Sequence, residues 1–67
     1  MKRKTFAMNL KTLRTARGLT QVALAKKATM QQTYIAQLES GVEANPTLDT
    51  LRRLARALKV TVAELVK

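Results

Sequence analysis

Residues 29–41 read TMQQTYIAQLESG, and they contain no lysine or arginine in a chain that has 13 of them against 4 acidic residues. Ile35 and Leu38 fall three apart, which puts them on one face of a helix running from Gln32 to Ser40. Gly41 stops that helix, and Met30 plugs the gap in front of it. The outward face is polar. The stretch before it, QVALAKKA at residues 21–28, reads as another short helix, with Thr20 as its N-cap and Leu24, Ala25 and Ala28 turned inward. Only a few residues separate the two. Where they cross, Ala25 offers a methyl group, and anything larger would force them apart.

Helical periodicity continues in both directions. Upstream, Phe6, Leu10 and Leu13 share one face of a first helix that Gly18 ends as a left-handed cap, and Leu19 points back to the core. Downstream, GVEANPT is a loop, and Thr47 starts a fourth helix with an apolar stripe of Leu48, Leu51, Leu54, Ala55 and Leu58. Thr61 and Glu64 form a capping box for a short fifth helix, to which Val62, Leu65 and Val66 give an apolar side. No convincing strand, repeat or low-complexity segment interrupts this pattern. The expected architecture is all-α: a compact five-helix domain over residues 6–67, preceded by a flexible basic arm at residues 1–5.

The chain has 67 residues and a formal net charge of +9. At that size one small core must suffice, or a partner subunit must help, so self-association is expected. Without cysteine the fold stands on packing alone, as suits a reducing cytoplasm. The start, MKRKTFAMNL, is positive like a secretory signal but lacks its apolar core, because Asn9 and Lys11 interrupt it. No run approaches transmembrane length. The charge calls for a polyanionic partner. An enzyme is not expected: there is no histidine or cysteine, and of 4 carboxylates Glu39 and Glu43 are separated by a helix stop. No catalytic residue, metal site or cofactor is assigned.

Two short helices joined by a tight turn, the second with a polar outer face, describe a helix-turn-helix, whose second helix enters a DNA major groove. From Leu10 to Leu65 the chain resembles the lambda repressor and Cro-type helix-turn-helix family, also called the xenobiotic response element (XRE) family of bacterial and phage regulators. The resemblance rests on LRTARGLTQVALA, YIAQLESG, NPTLDTLRRLARAL and VTVAEL, in that order and at family spacing. It implies a lambda repressor-like fold and, residue by residue, a way of reading bases. Gln21 matches a glutamine that contacts a phosphate and buttresses the next one. Gln32 matches one that bonds adenine, and Gln37 one that faces the groove. Thr33 is a further candidate for base readout on the same helix. Arg14 and Glu39 match an internal salt bridge between the first helix and the end of the third.

Chemistry agrees with this assignment, since a carboxamide presents a donor and an acceptor side by side, complementary to adenine N6 and N7. The neutral stretch then reads bases while phosphate contacts on its flanks position the protein. Flanking candidates are Lys2, Arg3 and Lys4 on the arm, Lys11, Arg14 and Arg17 in the first helix, and Lys26 and Lys27 ending the second. Gln31 and Tyr34 are further phosphate or supporting residues, with Tyr34 equally able to cover the core. Arg52, Arg53, Arg56 and Lys59 read as a solvated charge row that raises the general field.

The family pattern is departed from in several places. Gln31 stands where serine or threonine usually caps the recognition helix, so a weaker cap is expected. Thr29 occupies a turn position where the family prefers glycine; either the turn differs or the domain accepts about 1 kcal/mol of strain. Glu43 sits in a loop where relatives carry cations, which leaves Asn45 and nearby amides as donors. The chain ends soon after the fifth helix, so no ligand-binding domain or inducer pocket is expected.

The leading function is sequence-specific binding of double-stranded DNA by a transcriptional regulator, a repressor, acting as a homodimer on an inverted repeat. Val62, Leu65, Val66 and the loop before the fourth helix are candidates for the dimer surface, or else they close the monomer core. An antitoxin with a toxin partner, or a restriction-modification controller, would use the same module. A protein-interaction adaptor is a separate reading, disfavoured by glutamines at groove-facing positions, and a membrane-surface peptide is disfavoured by the absence of tryptophan. No membrane and no small-molecule ligand is expected; the location is the bacterial cytoplasm, at the nucleoid.

Overall fold

A computed structural model of the chain describes residues 3–42 and 46–67, with side chains from Phe6 onward. It is built of five helices: α1 (Arg3–Ala16), α2 (Gln21–Ala28), α3 (Gln32–Ser40), α4 (Leu48–Leu58) and α5 (Val62–Val66). The first helix starts earlier than the expected Phe6, so Arg3, Lys4 and Thr5 of the expected arm have helical backbone. Nothing in that run resists a helix: it holds no glycine or proline, and arginine and lysine are good helix formers. Lys2, also assigned to the arm, lies outside the described residues, as do Glu43 and Asn45.

Each helix end follows from local chemistry. The Thr20 and Thr47 hydroxyls accept the amides of Ala23 and Thr50 at 3.0 and 3.1 Å. Thr61 and Glu64 form the expected reciprocal box. At the far end of α1, Gly18 has φ 70, its amide donates to Thr15, and Leu19 donates to Arg14 at 3.1 Å. This 6→1 and 5→2 pairing closes the helix and turns Leu19 inward. The same closure recurs at Thr29 and Lys59, both at φ 58, with Met30 donating to Ala25 at 2.8 Å and Val60 to Ala55 at 3.0 Å. The turn therefore keeps the family geometry, and the domain accepts a strained threonine.

Phe6, Leu10, Leu24, Ile35, Leu38, Leu54, Leu58 and Leu65 are fully buried, so every helix contributes to one core. Helix α1 packs on α3 and α5, α2 packs on α3 and α4, and α4 packs on α5. Two expectations change. Leu65 has 0% exposure, so it closes the core and is withdrawn from the dimer candidates, while Val62 and Val66 are partly buried against that core. Leu48 drops out of the α4 stripe at 56% exposure; as the first residue of the helix it lies a turn beyond the edge of the core. Asn9, noted in the sequence only as a break in the apolar start, donates to the main-chain oxygens of Leu65 and Lys67 at 3.4 and 2.8 Å, tying the end of α5 to α1.

Candidate nucleic-acid interface

The position of α3 is set first by its apolar face. Ile35 and Leu38 are fully buried, Met30 and Tyr34 are partly buried against the core, and Ala25 of α2 is 4% exposed beneath them. A polar knot then fixes the far end. Arg14 donates from Nε and Nη2 to the two carboxylate oxygens of Glu39 at 2.6 and 3.0 Å, and from Nη1 to the Leu19 carbonyl at 2.7 Å. Gln21 Nε2 adds a third donor to Glu39 Oε1 at 3.2 Å. The side chains of Arg14 and Glu39 are only 11% and 4% exposed. Bonding to the Glu39 carboxylate raises the Arg14 pKa above the usual arginine value, although burial acts the other way. One carboxylate thus locks together the end of α3, the start of α2 and the last turn of α1.

With both ends held, the residues opposite Ile35 and Leu38 point to solvent. Gln32, Thr33 and Gln37 are exposed. Helical spacing puts Thr33 and Gln37 one above the other, with Gln32 beside them. Half-buried Ala36 lies between these side chains and keeps the helix narrow there; sequence reasoning passed over it, and its i+4 spacing from Gln32 was the available signal. Ser40 extends the row, donating to the Gln37 carbonyl at 3.0 Å. Gln31 is at the N-cap with no side-chain capping bond, so its carboxamide and the first amides of α3 remain available to an outside acceptor. The face carries no charge but many paired donors and acceptors.

The flanking cations divide into two groups. Lys11 on α1 and Lys26 on α2 are exposed. Arg14 is consumed by the knot and supports the interface from inside. Arg17 and Lys27, also expected to contact phosphates, line a concavity with Lys59 that includes no α3 residue, and Arg17 donates to the Lys59 carbonyl at 3.2 Å. Sequence reasoning did not place these two with Lys59, because Lys59 is distant from both along the chain.

A protein-family model described as helix-turn-helix matches residues 10–65. The immunity repressor protein of Bacillus phage phi105 is 40% identical over 62 residues, covering 92% of this chain and 42% of the repressor, so this chain spans less than half the length of that relative. The restriction-modification controller protein C.AhdI from Aeromonas hydrophila has the same fold, with a TM-score of 0.90 at 35% identity and 94% of each chain covered. SinR, a master regulator for biofilm formation solved in complex with DNA, also gives a TM-score of 0.90, at 26% identity, covering 92% of this chain and 98% of SinR.

Proposed function

Because the chain belongs to the helix-turn-helix family of DNA-binding transcriptional regulators, of the lambda repressor and Cro type, we propose that it is a repressor whose α3 reads an inverted-repeat operator. The observation that carries this reading is the neutral, carboxamide-rich outer face of a helix locked at its inner face by Ile35 and Leu38 and at its end by Glu39. In this reading Gln32 pairs with adenine, Thr33 and Gln37 contact neighbouring base edges, and Ala36 accepts a thymine methyl group. Gln31, Tyr34 and the N-terminus of α2 with Gln21 hold phosphates, helped by Lys11 and Lys26. Asn45 and the cations Lys2, Arg3 and Lys4 would add contacts at the edges. Nothing in this scheme calls for catalysis or a cofactor.

An inverted repeat needs a two-fold dimer, with recognition helices roughly 34 Å apart. Val42 and Leu48 support a surface for it, being large apolar residues at 72% and 56% exposure on either side of residues 43–45. The exposed parts of Val62 and Val66 could extend it. The likeness to C.AhdI over almost its full length favours one further role of the same kind, control of a restriction-modification operon.

Selection of bound duplexes from a random library, with wild type and Gln32→Ala side by side, tests the reading. An inverted-repeat consensus is expected, and the variant should lose preference at one base pair per half-site, worth about 1–3 kcal/mol. Binding without any consensus, decaying only with salt, would overturn it.

A further inference from the structure

We propose that the cleft between α2 and α4 is a second phosphate-binding surface, through which the protein holds a DNA segment other than the one α3 reads. Two concavities adjoin there. One, of about 250 Å³, is lined by Lys27, Ala28, Thr29, Arg53 and Arg56. The other, of about 150 Å³, is lined by Arg17, Leu19, Lys27, Ala57 and Lys59. Lys27 belongs to both, so five cations form a continuous strip. Neither concavity contains a residue of α3, and α2 has α3 and α4 as separate packing partners. The strip is therefore built without any residue of the face proposed to read the operator.

Part of this charge has an internal use, because three helices end here and cations complement the negative ends of helices. Arg17 donates to the Lys59 carbonyl and Arg53 to the Thr29 carbonyl, at 3.2 and 3.4 Å. That role does not absorb the rest. Among the described residues, the side chains of Lys27, Arg56 and Lys59 make no hydrogen bond or salt bridge. The carboxylate nearby is Asp49, which pairs with Arg53 at 3.0 Å with both side chains at least half exposed, an arrangement of little strength. Lys59 moreover holds a left-handed backbone where glycine would be unstrained, so a cation stands there at an energetic cost.

The chemistry of the strip favours phosphates over a protein. Its apolar floor is Leu19, Ala28 and Ala57, too little for the apolar centre of a protein interface. It is also too small and too polar for an organic ligand. Arginine forks suit phosphate oxygens, and a strip of cations suits a partner with repeating charge. The proposal rests on the DNA-binding reading but uses none of the α3 residues.

The test uses the full chain, a fluorescent duplex carrying the selected consensus, and a biotinylated duplex lacking it. Wild type saturated with the fluorescent duplex should retain it on streptavidin beads at low salt and release it as salt rises. The variant carrying Arg53→Ala, Arg56→Ala and Lys59→Ala should retain at least tenfold less, while its affinity for the consensus duplex changes less than threefold. Arg56→Gln, which removes no described contact, should show a smaller loss in the same direction and guards against misfolding. Retention unchanged in these variants, or no retention by wild type, overturns the proposal. So does displacement of the biotinylated duplex by inorganic phosphate at matched ionic strength, which marks a free-anion site, or failure of DNA to compete where polyglutamate succeeds, which marks an acidic protein partner. If selection yields no consensus, the operator reading fails separately, and salt-dependent binding of wild type and the triple variant to the biotinylated duplex still reports on the cleft.

Discussion

Glu39 is a carboxylate at 4% exposure in a domain with little core to spare, and it is held by Arg14 and Gln21. Taking one partner of such a pair away strands the other, which costs about 3–5 kcal/mol. Glu39→Leu should therefore lower the thermal midpoint by well over 10 °C, at ~4–8 °C per kcal/mol for a chain of this size. Arg14→Met combined with Glu39→Leu should recover most of that loss, because two apolar side chains leave no orphaned charge; calorimetry of the single and double variants gives the coupling. Raising a cation's pKa on folding yields stability that is complete below its unfolded value and fades only as pH passes the folded one. For Arg14 both lie in the strongly alkaline range. The difference in stability between wild type and Arg14→Met should accordingly stay constant from neutral to mildly alkaline pH, as chemical denaturation at several pH values would show.

Among the elements, the α2–α3 turn is the least comfortable. Thr29 holds φ 58 with a β-branched side chain, and Thr29→Gly should raise stability by about 0.5–1 kcal/mol, the relief of strain being partly offset by the freer unfolded chain. A rise of a few degrees in the thermal midpoint checks this; a fall would mean that the side chain contributes more than its strain costs. Helix order, caps and inward faces were legible in the sequence because they rest on short-range rules: hydroxyls three residues before an amide, glycine after the last turn, leucines at helical spacing. The Arg14–Glu39 pair and the outward Gln32 and Gln37 came from the family resemblance. What escaped depends on neighbours far along the chain. Arg17 and Lys27 lie with Lys59, Asn9 reaches the end of α5, Leu48 misses the core, and Leu65 is covered by it. Lys59 in a left-handed cap had no signal at all, since nothing in its residue type suggests that backbone.

For the whole molecule, some 25 × 23 × 21 Å, the decisive questions are stability and pairing. Leu65→Ala should cost about 2–5 kcal/mol as any emptied core site does, a large share of the total for so small a domain; loss of cooperative unfolding by circular dichroism would be the sign. Val42→Asp acts differently. It should leave the fold intact, shift the sedimentation profile towards monomer, and weaken binding to a full operator much more than to a half-site. A dimer unaffected by Val42→Asp would move the interface elsewhere. The knot at Glu39 has a last consequence, which concerns how such a protein can change. It fastens α3 entirely from behind, so Gln32, Thr33 and Gln37 bear none of the load of folding. If α3 reads bases as proposed, new side chains at these positions, introduced as a library, should alter which operators are chosen while the thermal midpoint hardly moves, making the recognised address rewritable separately from the scaffold that delivers it.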